Sequence, residues 1–170
     1  MKKIVKLIVL LLAACVFLCS CVNEKKSCEE LLRVGLEYGI DAYYDNGCLF
    51  LKTAEEGEVF FFTQKAKKTM YGEKFLNALD ATEDFAIYVS ASSPYEMAVF
   101  KCYSRNDVDG ILRMCYERAD ALKVGLRFGK WERASKDVLI TAHKKYVVFI
   151  FTDSSERNQA VYGEIIAALR

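Results

Sequence analysis

A chain of 170 residues with 24 Lys+Arg against 23 Asp+Glu carries almost no net charge. That balance excludes the basic excess that nucleic-acid binding needs. The length suits one domain that buries roughly two thirds of its unfolded surface, so folding requires neither a metal nor a disulfide.

Met1 to Lys6 carries three lysines, and an unbroken apolar run of thirteen residues follows from Leu7 to Cys19. That run falls short of the ~20 residues a spanning helix needs, and with its basic start it reads as a secretion signal. Leu18-Cys19-Ser20-Cys21 closes the run in the manner of a lipoprotein cleavage site. Cys21 is the expected acylated residue, because the chain turns polar at once after it with Asn23, Glu24, Lys25 and Lys26. Cys15, in Leu12-Ala13-Ala14-Cys15, is the alternative; it matches the cleavage pattern well but leaves an apolar mature start. The expected organisation is a signal peptide over 1–21, a polar tether over 22–26 and a single domain over 27–170. Removing the signal takes three of the 24 basic residues and no acidic one, which leaves 21 against 23 and a slightly negative chain.

Ser27-Cys28-Glu29-Glu30 matches a capping box and predicts a short helix to about Tyr38, with Leu31, Leu32, Val34 and Leu36 on its apolar face and Gly39 as its stop. Asp45-Asn46-Gly47 is a tight-turn signal between Tyr43-Tyr44 and Cys48 to Leu51, and Glu55-Glu56-Gly57 precedes Val59 to Thr63. These segments predict two or three short strands in a meander. Helical spacing resumes at Ala66, Met70, Phe75, Leu76 and Leu79, broken at Gly72.

The second half repeats one order of elements, over about 84–128 and 137–170. Phe85 to Val89 is a strand, Ser92-Ser93-Pro94 turns the chain, and Met97 to Tyr103 returns. A Ser104-x-x-Asp107 cap opens a long helix whose apolar face is Val108, Ile111, Leu112, Cys115, Ala119, Leu122 and Leu126. Val138 to Ala142, a turn at His143-Lys144-Lys145, and Tyr146 to Thr152 form the next strand pair. Asp153 to Glu156 then caps a last helix with Val161, Ile165, Ala168 and Leu169 along one side. Two consecutive ββα units predict an α+β fold: a four-stranded antiparallel sheet with both helices on one face, joined by the N-terminal helix and the short meander. Val147 to Phe151 is apolar at every position, so this strand should be covered on both faces, the first half of the chain closing the side the helices leave open.

Four cysteines belong to the domain: Cys28, Cys48, Cys102 and Cys115. Four cysteines allow three pairings, but Cys102 and Cys115 fall on apolar faces and the spacing is not that of a disulfide scaffold, so buried thiols are expected.

The lipobox start, the strand Glu96-Met97-Ala98-Val99-Phe100-Lys101, the long helix with Arg113 and Glu117-Arg118-Ala119, and the strand Tyr146-Val147-Val148-Phe149-Ile150 together resemble an uncharacterised family of small lipoproteins from Gram-positive anaerobes. That family is catalogued as a domain of unknown function. The resemblance covers roughly Tyr71 to Leu169 and implies a surface lipoprotein, with no active site to carry over. Lys144-Lys145 departs from the pattern by standing where a glycine turn is commoner, as do the short link before the third predicted strand and the segment Tyr43 to Thr63.

No GxSxG, SxxK, HExxH or glycine-rich phosphate loop occurs, and the single histidine, His143, gives little to build a metal site with. No enzyme activity, no cofactor and no metal are therefore expected. Glu55, Glu56 and Glu58 read as a solvated turn. Lys65, Lys67 and Lys68 are the densest basic cluster, joined by Lys144 and Lys145; they are candidates for anionic lipid headgroups or wall polymers, though an exposed helix start and an exposed hairpin turn are the favoured reading. Tyr43, Tyr44, Tyr71 and Trp131 lie in or beside predicted turns, where an aromatic ring can stack on a sugar or anchor an interface; for Trp131, after the long helix has ended, packing over the helix terminus is the favoured reading and binding the alternative. The expected protein is an acyl-anchored lipoprotein on the extracytoplasmic face of the cell membrane, a binding or adaptor module of the envelope with an envelope protein as partner. A receptor for a small solute or wall glycan is the alternative, and an envelope hydrolase the third.

Overall fold

A computed structural model of the chain describes residues 26–39, 47–125 and 137–170. Signal, cleavage site and most of the tether lie outside the described residues, as do Tyr43, Tyr44, Asp45, Asn46 and Trp131.

Helix α1, Cys28–Gly39, starts where its capping box predicts. The Glu30 carboxylate accepts the Ser27 N–H at 2.8 Å, and Ser27 Oγ accepts the Glu30 N–H at 3.2 Å. Strand β1, Cys48–Leu51, follows. Val59 to Thr63 is not a strand, contrary to the predicted meander. Three bonds curl the chain instead: Glu58 N–H to Glu55 C=O, Phe61 N–H to Glu58 C=O, and Glu55 N–H to the Glu58 carboxylate. Only a single parallel bridge, Leu51 to Phe61, touches the sheet. Thr63 then caps helix α2, Gln64–Tyr71, by accepting from Ala66 N–H. Gly72, at φ 83°, ends it where the helical spacing breaks, and a 3-10 turn at Glu73–Phe75 leads into α3, Leu76–Asp80.

The repeated order of elements stands. Strands β2, Thr82–Val89, and β3, Glu96–Cys102, form one hairpin followed by α4, Val108–Gly125; strands β4, Leu139–His143, and β5, Tyr146–Phe151, form the next, followed by α5, Ser155–Ala168. Both long helices carry the predicted caps: Ser104 and Asp107 exchange hydrogen bonds ahead of α4, and Ser154 Oγ accepts from Arg157 N–H at 3.2 Å ahead of α5.

The fold is α+β, with a sheet of five antiparallel strands in the order β1-β2-β3-β5-β4 rather than the four expected, because β1 pairs along β2 from Cys48↔Val89 to Leu51↔Ala86. The two hairpins join through β3 and β5, in the register Met97↔Ile150 and Phe100↔Val147. A second correction concerns the helices, which lie on opposite faces. Helix α4 covers one face together with α2 and α3, over Phe85, Ile87, Ala98, Phe100, Val147, Phe149 and Phe151. Helix α5 covers the other with α1, over Ala86, Tyr88, Met97, Val99, Val148 and Ile150. The alternation of side chains explains this: β3 and β5 are buried at every position, so each presents an apolar row to both sides and each side needs a helix layer. The first half of the chain is correspondingly divided, with α1 on one face and α2 and α3 on the other. Close approach of α1 to α5 depends on Gly39, where a Cβ would run into Val161 and Met97. No helix among the described residues is long and apolar enough to cross a membrane.

Candidate functional site

One end of the sheet gathers four chain segments. The turn after β4, the start of β5 and the end of β3 are brought level by the pairings His143↔Tyr146 and Lys101↔Tyr146, and the C-terminus of α5 arrives beside them. Between these segments lies a groove of about 810 Å³, walled by the β4–β5 turn, the segment Tyr103 to Arg105, the last residues of α5 and Lys26. Six of its lining residues are Lys or Arg: Lys26, Lys101, Arg105, Lys144, Lys145 and Arg170; none is Asp or Glu.

Lys101 and Lys145 are fixed in place by one carboxylate. Lys101 Nζ is 2.5 Å from Glu83 Oε1, with its side chain only 8% exposed, and Lys145 Nζ pairs with Glu83 Oε2. Hydrogen bonds from Lys101 and then Lys145 hold the Glu83 carboxyl below its usual range. Lys101 also lies 6.0 Å from the centroid of the Tyr146 ring, a cation–π arrangement. Two ammonium groups thus share one carboxylate and leave a positive excess. Lys26, Arg105, Lys144 and Arg170 are exposed, and no carboxylate among the described residues pairs with them. The end of α5 contributes about half a negative charge through its free carbonyls, which the surrounding cations outnumber.

Lys144 holds the groove's turn in an unusual conformation. Its φ is 55°, the left-handed region favoured by glycine, and a lysine there costs about 1 kcal/mol. Tyr103, 65% exposed, adds an aromatic surface to the wall.

The sequence's own candidates fare unequally. Lys144 and Lys145 line the groove. Lys65, Lys67 and Lys68 do not: Lys65 is exposed on α2, Lys67 pairs with Asp80 at 2.6 Å and Lys68 with Glu73 at 2.8 Å. Tyr71 is no surface ring; it packs edge-on against Phe62 and Phe100, at 6.3 and 6.2 Å between centroids. Cys21, Cys15 and Trp131 lie outside the described residues. Glu55, Glu56 and Glu58 form an exposed turn. Cys28, Cys102 and Cys115 are buried free thiols, and Cys48 is free and exposed. Burial pushes the Cys102 thiol up to about 11, and it pushes Cys28 and Cys115 up as well, so none of the three is poised as a thiolate. Among the described residues no three His, Cys, Asp or Glu side chains gather as a metal-binding group.

Lys26, Lys101, Arg105 and Arg170 are groove residues that no local motif announces. They are far apart in sequence, and only the β3–β5 pairing and the return of α5 bring them together. Comparison with family models, curated proteins and solved structures gave no match to this chain.

Proposed function

We propose that the chain is a membrane-anchored extracytoplasmic lipoprotein, acylated at Cys21, that serves as a non-catalytic binding or adaptor module of the cell envelope. The observation that carries this reading is the groove: a preformed concave site within the usual size of ligand sites, roughly 300–1,000 Å³, with Lys26 in its wall. Lys26 ends the polar stretch expected to follow the acylated cysteine, so the binding surface and the anchor belong to the same end of the domain. The lipobox at Leu18-Cys19-Ser20-Cys21 supports the same anchoring.

The test is cross-linking in intact cells on the native protein, with mass spectrometry reading both the modification on Cys21 and whatever co-purifies. An acylated Cys21 with one recurrent envelope partner is the expected outcome. A soluble, unacylated chain with no enriched partner would overturn the proposal.

A small-solute or wall-glycan receptor is the second reading, favoured by exposed Tyr103 standing beside Arg105 in the groove wall, where a sugar ring can stack. It predicts that adding the ligand raises the melting temperature. A hydrolase would require a nucleophile and base set facing this groove; His143 and Ser104 line it, but no Asp or Glu side chain does.

A further inference from the structure

Building on the lipid-anchor reading above, we infer that the basic groove seats the phosphate of an anionic lipid headgroup belonging to the membrane that holds Cys21. Charge distribution is the first argument. The mature chain is slightly negative, yet this one end concentrates six Lys and Arg side chains around a concave surface that no Asp or Glu side chain lines. Four of the six are exposed and unpaired among the described residues, available to an incoming anion, while Lys101 and Lys145 are held by Glu83 as a fixed cationic floor. Arginine offers a planar fork for phosphate oxygens and lysine a compact charge, so Arg105 and Lys144 together suit a phosphate bearing one net negative charge.

Position is the second argument. Lys26, in the groove wall, is five residues after Cys21, a stretch that fully extended reaches no more than about 18 Å. The tether therefore holds the Lys26 wall of the groove within reach of the surface in which the acyl chains are buried, close enough for direct contact with a headgroup. The left-handed Lys144 is the third: at φ 55° on the two-residue β4–β5 turn, a position that glycine or asparagine fits without strain, this chain carries a lysine that lines the groove.

The acylated full-length mature chain, reconstituted in vesicles, tests this by amine-reactive footprinting read by mass spectrometry. In vesicles containing phosphatidylglycerol, Lys26 and Lys144 should be modified about fivefold more slowly than in pure phosphatidylcholine vesicles. Lys123, in the last turn of α4 at the far end of the domain, should not change. Equal rates in the two vesicles would overturn the inference. Inorganic phosphate giving the same protection in phosphatidylcholine vesicles would overturn the lipid as the source. Arg105→Glu combined with Lys144→Glu, both exposed, should abolish the protection of Lys26; protection that persists would also overturn it. Should Cys21 prove unacylated, the anchor reading fails by itself. Sedimentation of that chain with phosphatidylglycerol vesicles but not phosphatidylcholine vesicles would then uphold the groove, and sedimentation with neither would overturn it.

Discussion

Arg118 on α4 meets Glu96 at the first position of β3, with its Nη2 at 2.6 Å and its Nε at 2.9 Å from Glu96 Oε2. The two side chains are 17% and 1% exposed, so this fork joins helix and sheet inside the apolar layer. Burial pushes the Glu96 carboxyl up, and the guanidinium opposes that push. Arg118→Met leaves the carboxylate buried without its partner and should cost about 3–5 kcal/mol. Adding Glu96→Leu should recover most of the loss, because two apolar side chains then fill the same space. Urea denaturation of the two variants decides it: a single variant as stable as the parent would show that the pair holds nothing together.

Phe149 sits in β5 opposite Ala98 and Ile140, 1% exposed within the layer that α4 covers. Phe149→Ala should cost about 3–5 kcal/mol through lost burial and the cavity left behind. A thermal melt without a clear drop would place this residue outside the cooperative core.

The strand-turn-strand-helix order was legible because each of its signals is local: the cap at Ser104, the apolar and β-branched run from Phe85 to Val89 ahead of a Ser-Ser-Pro turn, the helical spacing from Val108 to Ala119. Which face each helix takes is not local. It follows from both rows of β3 and β5 being apolar, a demand that Val147 to Phe151 displays in sequence but that does not say which helix meets it. Asn158 was illegible for the same reason. It reads as a polar residue on a helix, yet it is 1% exposed, accepts from the Thr152 N–H and hydroxyl and donates to the Asp137 C=O, binding the start of α5 to chain segments on both sides of the last hairpin. The groove is the extreme case, since Lys26, Lys101, Arg105 and Arg170 share it only after the sheet has formed, whereas Lys65, Lys67 and Lys68, close together in sequence, do not reach it.

Lys144 tests whether the groove is maintained at a cost to stability. Lys144→Asn places a residue that tolerates φ 55° at the tip of the β4–β5 turn and should stabilise the fold by roughly 0.5–1 kcal/mol. The same change removes one cation from the groove, so a higher melting temperature should accompany weaker protection of Lys26 in anionic vesicles. A lower melting temperature would mean that the lysine side chain contributes more to the native state than its backbone strain removes.

Glu83 gives the fold a defined acid sensitivity. Its carboxyl is held below the ordinary value of 4.5 by Lys101 and then Lys145, so the folded state binds this proton less tightly than the unfolded chain does. The stabilisation is therefore complete above pH 4.5 and is lost as pH falls through the lower, folded value. Glu83→Gln removes it at neutral pH and leaves the nearly buried Lys101 without its counter-charge, a loss of about 1–3 kcal/mol. As pH falls below 4.5 and through the lower folded value, the parent's own carboxyl becomes protonated and the two proteins should approach each other in stability. Urea midpoints at neutral pH and at a series of pH values descending below 4.5 measure this directly. A gap of the same size across the whole series would mean that Glu83 acts through packing rather than charge. A gap that closes would make the same carboxylate responsible for both the acid limit of the fold and the placement of two cations in the groove.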